Sequence, residues 1–137
     1  MTIKERVQKT KLESSPALAA SSEAQRNAAL ALIADRLYAN REAIFAANKE
    51  DYEQAEKDGI ATPILKRLIF NETKLDGVLA GIRDLIALPD PIGHDTLARE
   101  LDEGLQLHRV TCPIGVIGVI FESRPDALIQ ISTLCLK

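Results

Sequence analysis

Glu122, Ser123 and Arg124 stand in consecutive positions between an uncharged run, residues 115–121, and Pro125. A guanidinium beside a hydroxyl at such a junction can meet an anion or a nascent oxyanion. The seven residues before them are apolar or glycine and rich in β-branched side chains. That fits a strand covered on both faces, as in a parallel sheet. Pro125 suits the opening of a helix, and Asp126 beside it complements the positive end of the helix dipole. Strand, tight polar loop and helix is the arrangement that places ligands at the carboxyl end of a parallel strand. Backbone N–H groups opening that helix can then face an anion, with Arg124 adding a fixed positive charge. A plainer reading fits equally well, in which Glu122 and Arg124 cap a strand end at the surface.

The other reactive side chains carry weaker signals. Cys112, beside Pro113, could be a nucleophile, but no histidine motif accompanies it. Cys135 lies in an apolar stretch and reads as a core residue. His108 reads as a strand residue and His94 as a loop residue, and no metal-ligand spacing is visible. Gly115 and Gly118 lie before and inside the expected strand, the wrong place for a dinucleotide fingerprint, so they read as close-packing positions.

Stepping upstream, residues 1–90 read as helices. Ser22 and Gln25 form a capping-box pattern, followed by Leu30, Ile33 and Leu37 at helical spacing. Ile44 resumes the stripe after Asn40, which either interrupts this helix or kinks it. Thr62 as cap, with Pro63 at the first helical position, restarts a helix, and Asn71 caps the next. The latter presents Leu75, Val78, Leu79, Ile82, Leu85 and Ile86 on one face, until the prolines of "LPDPIG" stop it. Residues 96–112 alternate in part around Asp102-Glu103-Gly104, which predicts a β-hairpin. Residues 115–137 then form the strand–loop–helix unit, whose helix is apolar nearly all round and expects burial.

The 137 residues suit one domain, with 46% hydrophobic and 27% charged side chains. A net charge of -3 argues against nucleic acid as a partner. The basic start "MTIKERVQKTK" reads as a solvated helix face. No apolar run reaches the length of a membrane span and no signal peptide opens the chain. Two cysteines make no disulfide framework. The chain therefore reads as cytoplasmic and reduced.

The stretch "CPIGVIGVIFESRPDALIQISTLCLK" closely resembles the γ-glutamyl phosphate reductase family and the reductase half of bifunctional pyrroline-5-carboxylate synthetases. "SSEAQRNAALALIADRLYANREAIFAANKEDYEQA", "LKRLIFNETKLDGV" and "LPDPIG" resemble it in the same order, so the likeness runs from about Ser21 to Lys137. The resemblance implies an α/β, aldehyde dehydrogenase-like fold. Amino-terminal helices and a hairpin would lead into the first strand and helix of an incomplete, Rossmann-like NADP-binding domain. Phe121, Glu122, Ser123 and Pro125 would lie against the nicotinamide side of NADPH. Arg124 would match an asparagine that stabilises the oxyanion in the wider superfamily, and would contact the oxyanion or the acyl phosphate. The implied reaction is NADPH-dependent reduction of L-glutamyl 5-phosphate to L-glutamate 5-semialdehyde in proline synthesis. Glutamate 5-kinase is an implied partner, and the complete enzyme an implied homo-oligomer that pairs through the hairpin. The catalytic cysteine would fall beyond Lys137, which makes the chain the amino-terminal portion of a reductase without its catalytic domain. Met1 followed at once by a helix favours a separate reductase over a fused one. The competing expectation is a catalytically inactive helical interaction or regulatory module derived from such an enzyme.

Overall fold

A computed structural model describes residues 2–137. The chain forms two compact units, Met1–Glu23 with Pro89–Gly118, and Ala24–Leu88 with Val119–Lys137.

In the first unit, the basic start folds as α1, Ile3–Lys9, and buries nothing, as a solvated face should. Its start is a capping box: Thr2 Oγ1 accepts from Glu5 N at 3.2 Å, and Glu5 Oε2 accepts from Thr2 N at 2.8 Å. A π-helical turn, Thr10–Ser14, leads into α2, Ser15–Ala19. The expected hairpin is formed by β1, Asp95–Asp102, and β2, Leu105–Val110, paired antiparallel. Gly104 makes the turn at φ +76°, where a side chain would be strained. Thr111 closes the base, donating from its N–H to His94 O and accepting the His94 N–H on Oγ1, both at 3.0 Å.

The second unit holds the core. Helices α3 (Glu23–Ala39), α4 (Arg41–Lys57), α5 (Thr62–Leu68), α6 (Glu72–Ala87) and α7 (Pro125–Leu136) contribute to it. The stripe on α6 is its spine: Leu75, Val78, Leu79, Ile82 and Leu85 are all buried, against Leu30 of α3 and Phe70. Ile33, Leu37 and Ile44 pack partly against this cluster. Asn40 interrupts the helix rather than kinking it: at φ -103° and ψ 12° it ends α3 with its N–H donating to Arg36 O at 3.1 Å, and it starts α4 with its carbonyl accepting from Ile44 N at 3.1 Å. Asn71 caps α6 as expected, accepting from Lys74 N at 3.1 Å. Thr62 is not the cap of α5. Ala61 occupies that position and Thr62 begins the helix, a one-residue shift of the kind common at helix ends.

Asn48 of α4 clasps the α5–α6 linker. Its Nδ2 donates to Leu68 O at 2.9 Å, and its Oδ1 accepts from Phe70 N at 2.7 Å. The clasp seats the Phe70 ring 6.3 Å from that of Phe45. Asn48→Ala should therefore cost about 1–3 kcal/mol, because two part-buried backbone groups lose their partner. Urea midpoints with an unchanged m-value would measure this, and a midpoint equal to wild type would show that water replaces the clasp.

Two expectations are corrected. Residues 115–121 carry no strand hydrogen bonds. A parallel strand exists only by pairing, and the described residues supply no neighbour for this one. Its side chains are exposed instead of covered, Ile120 fully and Val116, Ile117, Val119 and Phe121 by two-fifths or more. Helix α7 is also not buried all round: Ala127 and Thr133 face inward, whereas Leu128 and Leu134 are exposed. Cys135, expected in the core, sits on that exposed side. Apolar surface on this scale promotes association. Light scattering of the 137-residue chain should show a mass that rises with concentration and falls with Ile120→Lys; a clean monomer with a sharp melt would overturn this.

Candidate functional site

The loop at 122–124 turns sharply. Ser123 has φ +51°, the one non-glycine residue with positive φ among the described residues. A side chain there costs about 1 kcal/mol, and such strain gathers at functional loops. Past this turn Arg124 becomes the cap residue of α7, and Pro125 opens the helix as expected.

The helix opening already has an anion of its own. Asp126 Oδ1 accepts from Ala127 N at 3.0 Å, and Ala127 N also reaches Arg124 O at 3.1 Å. One backbone donor of the helix opening, the Ala127 N–H, is therefore occupied from within the chain. The other oxygen, Asp126 Oδ2, lies 3.6 Å from Arg124 Nη2 and 3.9 Å from Lys74 Nζ. Asp126 is well covered, with its side chain 14% exposed, while the Arg124 side chain is 52% exposed. Both contacts exceed hydrogen-bond length, so they are attractions of charge rather than formed bonds.

Around this carboxylate lies a cleft of about 260 Å³, lined by Lys66, Arg67, Lys74, Arg124 and Asp126. Lys66 and Arg67 come from the last turn of α5, and Lys74 from the first turn of α6. Lys74 is steered into place by the cap at Asn71 and by a bond from its Nζ to Arg67 O at 3.2 Å. Of the loop residues singled out in the sequence, Arg124 alone lines the cleft. Phe121 and Glu122 are exposed, and Ser123 and Pro125 half-buried. Sequence reasoning missed Lys66, Arg67 and Lys74. Their signal was the spacing of basic residues in "LKRLIFNETK", where Leu65 and Phe70 turn inward and the cations outward.

The remaining candidates lie elsewhere. Cys112 and Cys135 are both exposed free thiols. His108 Nδ1 sits 3.3 Å from Asp95 Oδ2 across the hairpin, and His94 Nε2 meets Asp90 O within its loop. Among the described residues no group of acidic, histidine or cysteine side chains is placed to hold a metal ion. No helix among them is long and apolar enough to cross a membrane.

No family model matches the chain. Curated relatives do. A gamma-glutamyl phosphate reductase of Ruminiclostridium cellulolyticum is 58% identical over 120 residues, 88% of this chain and 28% of the relative. That of Pelotomaculum thermopropionicum is 57% identical over 125 residues, 91% of this chain and 29% of its own length. The crystal structure of gamma-glutamyl phosphate reductase from Saccharomyces cerevisiae superposes with a TM-score of 0.92 at 41% identity, over 99% of this chain and 35% of that one. The Thermotoga maritima structure gives 0.90 at 32% identity, over 96% and 32%. The chain thus spans between a quarter and a third of the length of these curated relatives.

Proposed function

We propose, from the likeness of sequence and backbone to a portion of the gamma-glutamyl phosphate reductases, that this chain is part of an enzyme that reduces L-glutamyl 5-phosphate to L-glutamate 5-semialdehyde with NADPH. The observation that carries the reading is the agreement of sequence and backbone over the same residues. The same likenesses disfavour the catalytically inactive module.

The proposed chemistry has two stages. A cysteine thiolate attacks the acyl carbon, the C–O bond breaks, and phosphate leaves with its electron pair. The resulting thioester is then reduced to the aldehyde, and the thiolate is released. Splitting a hard displacement into two easier ones is the advantage of covalent catalysis. The nucleophile is assigned to a part of the enzyme outside these residues, since Cys112 and Cys135 are free thiols with no hydrogen-bonded base or cation among the described residues.

Residues of this chain bind and orient. Arg124 is assigned to the acyl phosphate or its oxyanion, because its half-exposed guanidinium faces a cleft in which cations outnumber carboxylates. Phe121, Glu122, Ser123 and Pro125 are assigned to the nicotinamide side of NADPH, which supplies the hydride. Phe121, 43% exposed, offers an apolar ring face that suits a planar, weakly charged group. The tight turn at Ser123 separates that face from the cationic cleft. The complete enzyme is further proposed to work in the cytoplasm, to receive its acyl phosphate from a glutamate 5-kinase, and to form a homo-oligomer through the β1–β2 hairpin.

The complete protein containing these residues should oxidise NADPH when given enzymatically generated L-glutamyl 5-phosphate. In reverse it should reduce NADP⁺ with the semialdehyde only when inorganic phosphate is present. Phosphate-independent turnover would point instead to an ordinary aldehyde dehydrogenase and sink the acyl-phosphate assignment.

A further inference from the structure

We propose that Lys66, Arg67 and Lys74 join Arg124 in a phosphate-binding subsite, built by the end of α5, the first turn of α6 and the loop before α7. The proposal rests on the reductase reading only for where that phosphate comes from.

Charge is the first argument. Four side-chain cations line the cleft against one carboxylate, in a chain whose net charge is -3. Asp126 offers partial balance to Lys74 and Arg124 at 3.9 and 3.6 Å. Among the described residues no ion pair or side-chain hydrogen bond engages Lys66 or Arg67. A structural network would bring acids and bases together in similar number; this one leaves positive charge unbalanced, which suits an incoming anion.

Size and shape narrow the class. A cleft of about 260 Å³ lies below the usual range for whole drug-sized ligands, so it suits a headgroup rather than an entire dinucleotide. Two guanidiniums and two ammoniums can together satisfy a dianion with several acceptor oxygens, and the planar forks favour phosphate or carboxylate over halide. The positions are also set in advance. Lys74 is held by its bond to Arg67 O, and Arg124 is held by the strained turn at Ser123 and the charge of Asp126. Such preorganisation lowers the entropy lost on binding.

The test uses the complete reductase, titrated with inorganic phosphate by calorimetry at fixed ionic strength. Lys66 and Arg67 are exposed, so Lys66→Gln and Arg67→Gln should fold normally. Each should raise the Kd for phosphate about tenfold, and the double variant by about a hundredfold, the scale of a charged hydrogen bond lost at each position. Lys49→Gln, which removes an exposed cation of α4 outside the cleft, should leave the Kd unchanged. Kinetics then distinguish the source. A raised KM for L-glutamyl 5-phosphate with an unchanged KM for NADPH would assign the subsite to the substrate. A raised KM for NADPH, with weaker binding of adenosine 2′,5′-bisphosphate, would assign it to the cofactor's phosphates. Wild-type tightness in the double variant, no phosphate binding by the wild type, or an equal loss in Lys49→Gln would overturn the subsite. If the wild type lacks reductase activity, the reductase reading fails while the phosphate titration still judges the cleft.

Discussion

Residues 1–137 by themselves are expected to turn over L-glutamyl 5-phosphate at no measurable rate. The proposed mechanism needs a thiolate in contact with the acyl carbon, and both thiols here are exposed and free. Losing the nucleophile of a covalent mechanism costs on the order of 10⁶ in kcat, which leaves nothing an absorbance assay can follow. Supplying the remainder of the reductase, as one polypeptide, should restore ordinary turnover. In that complete enzyme Cys112→Ser and Cys135→Ser should each keep kcat within about twofold, since neither thiol is assigned a part in the chemistry and Ser differs from Cys by one atom. NADPH oxidation by the 137-residue chain that vanishes with Cys112→Ser would reverse the assignment. Cys112 would then be the nucleophile, and the role given to Arg124 would have to be rebuilt around it.

Arg124→Ala in the complete enzyme should lower kcat/KM by about a hundredfold, the cost of a lost oxyanion donor. Magnitudes separate this from a structural role. The pair Arg124–Asp126 is half-exposed at 3.6 Å, and exposed pairs contribute about 0–1 kcal/mol to stability. A hundredfold kinetic loss corresponds to about 2.7 kcal/mol, more than the ion pair can supply. Arg124→Lys should recover little if the contact is bidentate, because an ammonium is a point charge rather than a fork. Kinetics and thermal stability measured on the same preparations decide the matter. Near-normal kinetics with a lowered melting temperature would return Arg124 to the plainer role of capping the helix start.

How much of this was legible in the residues depends on the range of the interactions involved. The helical stripe Leu75 to Leu85, the cap at Asn71, the hairpin turn at Gly104 and the start of α7 at Pro125 are all present as read. Each depends on contacts a few residues apart, so periodicity and capping chemistry carry it. The family likeness was legible for a related reason, since the specific block "FESRPDA" lies on one continuous stretch. Burial was not legible in the same way. The run 115–121 and the outer side of α7 look like core by composition, yet they are exposed. Composition records what a side chain would prefer to touch, while a partner strand or facing helix must exist before that preference is met. The cleft is the clearest case. Arg124 stands out locally because it follows an apolar run and precedes a proline. Lys66, Arg67 and Lys74 lie fifty or more positions earlier and look like ordinary solvated charges on their own helices. Only the packing of α5, α6 and α7 through buried residues such as Leu65, Leu75 and Ala127 brings those cations to the same cleft. Local sequence thus determined the elements and singled out Arg124 at their junction, and tertiary packing decided that four cations share a single cleft, because long-range proximity is set by which faces the core buries.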